Sequence, residues 1–196
     1  EKRTPNYDSY VVDKLQRAGA LIVGKTNTHE LALGGTTNNP HYGPTHNPWN
    51  LENVPGGSSG GSGAALASGQ VSLALGTDTG GSVRIPSAFC GVTGLKPTYG
   101  LIGKSGIIPL SKTLDHAGPM ARSAFDCALL LNQMTGRDIN DPHNINFDSS
   151  TDFTQNIEKE VKGITLAIIP SLLVDSEPGV AQSFVKSIAV LEQMGL

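Results

Sequence analysis

The amino-acid sequence predicts an α/β fold, with helices on both faces of a central mixed β-sheet. Apolar residues recur at the spacing of amphipathic helices in three segments, residues 7–18, 124–134 and 178–194. Short apolar runs, typical of buried strands, occur at residues 20–23, 73–75 and 164–169. The first helix is followed by a glycine and then by the first apolar run, and this order is half of an α/β unit.

The ends of the helical segments carry residues that start and stop helices. Gly19 suits the position that follows the first helix, and Gly136 suits the position after the second. Ser123 predicts an N-cap, with Asp126 at the third helical position. Pro178 suits the first turn of the last helix. A further strand would be expected after this helix, so we expect the sheet to be incomplete in this chain.

Composition excludes several classes of function. The net charge of −3 gives no electrostatic attraction to nucleic acid or to an anionic membrane, and no apolar run approaches the ~20 residues of a membrane helix. The N-terminus lacks the apolar region of a signal peptide, so we expect a cytoplasmic protein. Two cysteines and five scattered histidines form no metal-ligand spacing, so we predict no metal and no cofactor. Cys90 and Cys127 are expected to be buried as small apolar residues.

The chain is organised around a Ser/Gly-rich stretch, residues 55–86. It contains two Gly-Gly-Ser turns whose serines, Ser58 and Ser82, are 24 residues apart. The stretch lacks the lysine of a phosphate-binding loop, the spacing of a dinucleotide fingerprint and the GxSxG of a hydrolase elbow. The glycine pair before Ser82 lets successive N–H groups point at one spot, as an oxyanion hole requires. A serine nucleophile also needs a neighbouring proton acceptor, and the hydroxyl of the other turn can pass a proton.

Residues 55–62 (PGGSSGGS) and 76–86 (GTDTGGSVRIP) resemble the amidase signature family. The resemblance is extended by three further segments, residues 19–27, 89–100 and 114–119. It covers nearly the whole chain and weakens from residue 137 on. It implies the α/β/α layers of that family and a Ser–cis-Ser–Lys catalytic triad. It also implies that residues 1–196 are part of a single amidase signature domain, truncated at both ends.

Carried over by motif position, the resemblance implies a role for each residue of the two turns. Ser82 is the expected nucleophile that forms an acyl-enzyme, and Ser58, held by a cis peptide bond, is the expected bridging serine that relays the proton. Ser59 is expected to support them by hydrogen bonding. Asp78 and Arg84 are interpreted as a structural pair that fixes the turn. The oxyanion hole is expected to consist of the backbone N–H groups of Thr79, Gly80, Gly81 and Ser82.

The lysine of the triad has no counterpart in this chain. The family carries it in a Lys-Asp-Asn-like motif upstream of the serines, where this sequence has Lys2, Lys14 and Lys25, none of them in such a motif. Lys25 stands in a segment that, in the family, lies between the catalytic lysine and the serine loop. We therefore expect the chain to be a fragment that begins after the catalytic lysine and is itself inactive.

Three functions are compatible with the sequence. A stand-alone amidase that hydrolyses a carboxylic amide is favoured, because Ile85 and His116 occupy positions where the family's tRNA-dependent amidotransferase typically carries glutamine in its glutaminase subunit. The alternatives are that glutaminase subunit itself, and an inert fragment or ligand-binding module. For the favoured function the expected partner is a small-molecule amide substrate, with no direct contact to nucleic acid and no membrane. A homo-oligomer stays open.

Overall fold

The structure is a computed structural model that describes residues 4–148 and 150–196. The chain divides into two compact units, residues 1–155 and 156–196. The first unit holds a three-stranded β-sheet with helices packed against it, which confirms the predicted α/β class. The second unit holds one long helix preceded by a short 3-10 turn. No helix within the described residues is long and apolar enough to cross a membrane.

In its described residues, the first unit contains four α-helices and five short strands. The helices are α1 (Tyr10–Arg17), α2 (Gly60–Ala67), α3 (Arg84–Cys90) and α4 (Ala124–Met134). The strands are β1 (Asn38–Asn39), β2 (Gly43–Pro44), β3 (Leu73–Asp78), β4 (Thr93–Gly94) and β5 (His116–Ala121). A 3-10 turn also covers Glu30–Ala32. In the second unit, a 3-10 turn at Pro170–Leu173 precedes α5 (Pro178–Gln193).

Strands β3, β5 and β4 form an antiparallel sheet with β5 in the middle. The register pairs Leu73 with Ala121 at one end of β3, and Asp78 with His116 at the other end. Strand β3 is therefore at an edge of this sheet. Its last residue leads directly into the Ser82 turn, which we define as residues 79–83. Strands β1 and β2 form a small antiparallel hairpin within the long polar loop that precedes the serine-rich stretch.

Two apolar clusters stabilise the first unit. The smaller consists of Leu66 of α2, Val83 and Met120 of β5, all fully buried. Because Val83 follows Ser82, burial of its side chain anchors the Ser82 turn to the sheet. Full burial of one such side chain is worth about 1.5–3 kcal/mol. The larger cluster joins α1 to α4 and contains Val11, Leu15, Leu101, Ile102, Ala117, Leu130, Leu131 and Met134.

The helical predictions are confirmed. Helix α4 has the predicted bounds, and the two other predicted helices are present as the slightly shorter α1 and α5. The predicted cap of α4 is also present, since the Asp126 N–H donates to Ser123 Oγ at 3.0 Å. The Ser123 hydroxyl in turn donates to the Asp126 carboxylate at 2.7 Å, so the two residues satisfy each other.

Two of the three predicted strands are wrong. Residues 20–24 have no regular structure, and Leu21 and Val23 are 88% and 78% exposed. Residues 164–169 are not a strand either, and their large apolar side chains are about half exposed. A strand needs a neighbour for its backbone hydrogen bonds, and no pairing within the described residues includes either run. The third run lies in β3, as predicted. The pairings of the described sheet are all antiparallel, whereas we expected a mixed sheet.

Candidate active site

Ser82 lies half-buried in a turn whose backbone is held by the carboxylate of Asp78. Asp78, the last residue of β3, is completely buried. Its Oδ1 accepts the Gly81 N–H at 2.7 Å, and its Oδ2 accepts the Val83 N–H at 3.1 Å. These bonds fix the backbone on both sides of Ser82, so the position of its hydroxyl is defined by the fold of the turn.

The carboxylate of Asp78 is balanced by Arg84, as the sequence indicated. The Arg84 guanidinium donates through Nε to Oδ2 and through Nη2 to Oδ1, each at 3.0 Å. Burial raises the pKa of Asp78, but the hydrogen bonds from Arg84, Val83 and Gly81, together with the Arg84 charge, outweigh it and hold that pKa below its ordinary value. Asp78 is therefore a charged structural group rather than a proton acceptor near neutral pH.

The four backbone N–H groups expected to form an oxyanion hole are not equivalent. Gly81 has a φ of 133°, a conformation that disfavours any side chain, and its N–H is already engaged by Asp78. The N–H groups of Thr79, Gly80 and Ser82 have no acceptor among the hydrogen bonds of the described residues. Gly80 is exposed at the surface of the turn. Three of the four N–H groups are thus free to donate, whereas that of Gly81 is already engaged by Asp78.

The Ser58 turn, which we define as residues 55–59, lies beneath the surface. The Gly57–Ser58 peptide bond is cis, as the resemblance implied, and Ser58 is only 1% exposed. Its carbonyl oxygen accepts the His29 N–H at 3.0 Å. A β-carbon added to Gly57 would lie 2.7 Å from the carbonyl oxygen of Gly34, so this close backbone approach requires glycine.

A buried threonine outside the serine-rich stretch also holds the Ser58 turn. The Thr37 hydroxyl lies 2.8 Å from the Gly56 carbonyl oxygen and 3.2 Å from that of Ser58, and it accepts the Gly60 N–H at 3.0 Å. Thr37 is completely buried. No role was predicted for this residue, because a threonine in a polar loop carries no recognisable motif.

Ser59 connects the two serine turns. Its N–H donates to the Ser82 carbonyl oxygen at 3.2 Å. Its hydroxyl accepts the Thr77 N–H at 3.1 Å and lies 3.3 Å from the Thr77 carbonyl oxygen, which ties it to β3. Ser59 therefore hydrogen-bonds to residues of both the Ser82 turn and β3, and its supporting role in catalysis stays a prediction. The structure brings Ser58, Ser59 and the Ser82 turn together at the edge of the sheet.

The hydroxyl of Ser58 is the unsatisfied group of this site. Within the described residues, the buried side-chain oxygens without a hydrogen-bond partner are Ser58 Oγ and Asn27 Oδ1. Buried polar atoms normally have a hydrogen-bond partner, so a buried hydroxyl without one indicates a position where a further group would bind. Lys25 is exposed, and no hydrogen bond of the described chain joins it to either serine. No base for Ser58 is therefore present among the residues that the structure describes.

The described residues contain no cluster of side chains that could bind a metal ion. Among residues 4–148 and 150–196, no three His, Cys, Asp or Glu side chains lie close enough together to hold a metal ion. Cys90 and Cys127 are both free and buried, as predicted, and burial raises the pKa of each thiol to about 11. The chemistry available at the site is that of two serine hydroxyls, backbone N–H groups and an ion pair whose carboxylate is buried.

The comparison with protein families agrees with this geometry. The family model described as Amidase matches residues 1–196. The chain belongs to the amidase family. Individual relatives, both curated proteins and solved structures, narrow this assignment.

Among the curated relatives is the A subunit of glutamyl-tRNA(Gln) amidotransferase from Carboxydothermus hydrogenoformans, 44% identical over 196 residues. That match covers 100% of this chain and 40% of the relative. The crystal structure of the same kind of subunit from Thermotoga maritima is 43% identical, covers 96% of this chain and 42% of that one, and has a TM-score of 0.91. The structure of 6-aminohexanoate cyclic dimer hydrolase is 36% identical over 97% of this chain and 41% of that one, with a TM-score of 0.89. The chain thus spans about two fifths of the length of these relatives.

These relatives change the order of the functions compatible with the sequence. They support the glutaminase subunit of a tRNA-dependent amidotransferase better than a stand-alone amidase. The expected partner, a small-molecule amide with no direct contact to nucleic acid, was wrong, because the relatives are named as one subunit of a glutamyl-tRNA(Gln) amidotransferase.

Proposed function

We propose that the chain is part of the A subunit of a glutamyl-tRNA(Gln) amidotransferase and contains its amide-hydrolysing serines. The identity of 44% over all 196 residues to a curated protein of that name supports this assignment. The observation that carries the chemistry is the hydrogen bond from the Ser59 N–H to the Ser82 carbonyl oxygen, because it holds the two serine turns side by side. We further propose that residues 1–196 are part of one amidase domain and that the enzyme works in the cytoplasm, where its tRNA-linked substrate is made.

In this mechanism, Ser82 is the nucleophile and Ser58 is the proton relay. The Ser82 hydroxyl attacks the carboxamide carbon of glutamine while its proton passes to Ser58 Oγ, and Ser58 passes its own proton to a base. The unsatisfied Ser58 Oγ is available for that base, which the family resemblance makes a neutral lysine. General-base help of this kind is worth about 10²–10⁴ in rate.

The negative charge that develops on the substrate oxygen is met by the Ser82 turn. The N–H groups of Thr79, Gly80 and Ser82 donate to this oxygen, and Gly81 contributes by sharing its N–H with Asp78. The proton is then returned to the leaving nitrogen, the C–N bond breaks and ammonia departs. Water hydrolyses the acyl-enzyme ester to glutamate, and the ammonia is passed on to glutamyl-tRNA(Gln). Ser59 keeps both turns in register during these steps.

We also propose that the 196-residue chain by itself is strongly impaired in catalysis. Ser58 has no base within the described residues, and Lys25 is exposed. Without a base, the relay cannot remove the Ser82 proton, although the turn that receives the oxyanion is intact. Activity is therefore expected from the full-length protein and not from this segment.

A second candidate is amide hydrolysis without partner subunits, which two residues favour. Both residues lie close to the Ser82 turn. The Ile85 N–H donates to the Gly81 carbonyl oxygen at 2.7 Å, and His116 Nδ1 lies 3.2 Å from the carbonyl oxygen of Asp78, the residue before the turn. The family's amidotransferases typically carry glutamine at both positions. The likeness to 6-aminohexanoate cyclic dimer hydrolase also favours this candidate.

The two candidates are separated by ammonia release from the full-length protein. Glutamine and simple amides are supplied alone, with partner subunits, and with partner subunits plus glutamyl-tRNA(Gln). The proposed function predicts glutamine hydrolysis that increases when the partners and the tRNA are present, together with amidated tRNA as product. Equal or faster turnover of simple amides without any partner, and no amidated tRNA, would instead establish the stand-alone amidase. Ser72→Ala, an exposed serine between the two turns, is the matched control for Ser82→Ala.

A further inference from the structure

We propose that Asp115 is a positioning residue for the oxyanion-binding turn and acts through the hydroxyl of Thr79. This inference rests on the proposed function, in which the Thr79 N–H is one of the donors to the substrate oxygen. Neither the motif nor the chemistry of the two serines requires a second carboxylate, yet the fold places one against the start of the Ser82 turn.

The sheet register brings the two residues together. Strands β3 and β5 are antiparallel, and their pairing ends with Asp78 opposite His116. Thr79 is the residue that follows β3, and Asp115 is the residue that precedes β5, so continuation of the register places these two side by side. The Thr79 hydroxyl donates to Asp115 Oδ1 at 2.6 Å, the length of a strong hydrogen bond to a charged acceptor.

Asp115 is itself held rigidly. It is 8% exposed, and its other oxygen accepts the N–H groups of Leu110 and Ser111 at 2.8 and 2.9 Å. Its own N–H donates to the Ser111 carbonyl oxygen at 3.1 Å. No lysine, arginine or histidine forms an ion pair with it in the described residues. The carboxylate is thus stabilised by neutral donors in fixed positions, and this makes it a fixed anchor for Thr79.

The orientation of the peptide unit between Asp78 and Thr79 is fixed by His116, the residue that follows Asp115. His116 Nδ1 lies 3.2 Å from the Asp78 carbonyl oxygen and 2.6 Å from that of Leu114, so this nitrogen carries the proton that it donates. In a trans peptide the C=O and the following N–H point in opposite directions. A carbonyl directed at His116 therefore directs the Thr79 N–H away from it, and Asp115 fixes the attached side chain.

The Ser82 turn is consequently held at two points by two carboxylates. Asp78 binds the backbone at Gly81 and Val83, and Asp115 binds the side chain at Thr79. Loss of the second anchor leaves the serines in place but lets the first donor of the oxyanion hole move. The expected consequence is a lower kcat with little change in KM, because the affected donor stabilises charge that develops only in the transition state.

The test uses four variants of the full-length protein assayed for glutamine hydrolysis. Thr79→Val keeps the shape of the side chain and removes the hydroxyl, and Asp115→Asn keeps the shape and removes the charge. Each is expected to lower kcat about tenfold, with KM within about twofold, as for partial loss of one oxyanion donor. The double variant is expected to be no worse than the poorer single variant, because both remove one interaction. Thr79→Ser, which restores a hydroxyl, is expected to recover several-fold of the activity lost in Thr79→Val.

Asp138→Asn is the matched control. Asp138 is also a buried aspartate that accepts loop hydrogen bonds, from Ser105 and Asn140, but it contacts no residue of the Ser82 turn. The Asp138→Asn variant should lower the stability of the protein without lowering kcat. Equal loss of kcat in Asp138→Asn and Asp115→Asn, or multiplicative losses in the double variant, would overturn the proposal.

Hydrogen exchange of the backbone provides a readout that does not depend on activity. Both Thr79→Val and Asp115→Asn are expected to accelerate exchange in the peptide that contains residues 79–82. If Thr79→Val leaves this peptide unchanged and Asp115→Asn affects only residues 109–116, Asp115 merely holds its own loop and the proposal fails. Wild-type protein that does not hydrolyse glutamine would refute the proposed function, whereas the exchange data would still decide the role of Asp115.

Discussion

The guanidinium of Arg84 donates to both carboxylate oxygens of Asp78, at 3.0 Å each, across the turn that carries Ser82. The Asp78 side chain is fully buried, whereas that of Arg84 is 53% exposed. The carboxylate therefore loses its hydration on folding, and the Arg84 guanidinium and the backbone N–H groups of Gly81, Val83 and Arg84 replace it. The Asp78–Arg84 pair therefore fixes the backbone geometry of the Ser82 turn, and the Ser82 side chain itself does not.

Asp78→Asn is expected to destabilise the protein by about 3 kcal/mol at neutral pH, since it leaves buried donors without a charged acceptor. The measurement is urea unfolding of the variant and the wild type between pH 3 and pH 7. Because the pKa of Asp78 is lowered in the fold, its contribution is present above the unfolded value of about 3.9 and is lost as the pH falls through the lower folded pKa. The difference in the free energy of unfolding between the wild type and Asp78→Asn should thus be constant from pH 7 to pH 5 and should become smaller below about pH 4.

Asp13→Asn is the control for this experiment. Asp13 forms an ion pair with Arg17 on the exposed side of α1 at 2.9 Å, and solvent screens such pairs. The Asp13→Asn variant should therefore lose little free energy of unfolding at any pH. A gap between Asp78→Asn and the wild type that stays constant down to pH 3 would show that Asp78 does not stabilise the fold as a carboxylate.

Gly81→Ala is expected to lower the free energy of unfolding by about 1–3 kcal/mol, since Gly81 has a φ of 133° that other residues adopt only under strain. An added β-carbon would also lie 2.8 Å from Ile85 Cδ1, although this side chain can move. The matched variant is Gly80→Ala, where a β-carbon meets nothing within 4 Å. Thermal unfolding of both variants checks the prediction, and equal losses would contradict it.

Thr37→Val should destabilise the Ser58 turn. The change keeps the size of the side chain but leaves the Gly60 N–H and the Gly56 carbonyl oxygen without their partner in a buried site, at a cost of about 1–3 kcal/mol. Thr36→Val, one residue earlier and exposed, is the control. Denaturant unfolding measures both. If the two variants are equally stable, the Thr37 hydroxyl does not hold this turn.

Cys90 and Cys127 are expected to resist thiol reagents in the folded protein. Burial raises the pKa of each thiol to about 11, so about one molecule in a thousand carries the thiolate at pH 8. Both side chains are also nearly inaccessible. The reaction with a disulfide reagent should be slow in the native state, and both thiols should react at once in denaturant. Rapid reaction of either thiol in native buffer would be inconsistent with this structure.

The parts of the fold that depend on local sequence were predictable. Helix α4 follows from its apolar period and from Ser123, a cap whose partner is three residues away. The serine turns were recognisable because their glycines and serines form a contiguous pattern. The cis serine and the supporting position of Ser59 came from the family resemblance and not from the residues alone.

The parts that depend on distant contacts were not predictable. Thr37 acts on residues 19 to 23 positions away, and Thr79 meets Asp115 across 36 residues. No local pattern marks such a pair. Residues 20–24 illustrate the opposite failure, because their apolar run is typical of a buried strand and yet a strand forms only where a neighbour supplies hydrogen bonds. Ile85 and His116 led us to favour a stand-alone amidase, whereas the similarity along the whole chain supports the amidotransferase subunit better.

The role of Ser82 as nucleophile is tested most directly by labelling the full-length protein with a fluorophosphonate probe and mapping the labelled residue by mass spectrometry. We expect labelling of Ser82, no labelling in Ser82→Ala, and labelling about a hundredfold slower in Ser58→Ala, because the proton relay is lost. Ser72→Ala should label like the wild type. Labelling at another serine, or undiminished labelling of Ser82→Ala, would contradict the claim that Ser82 is the nucleophile.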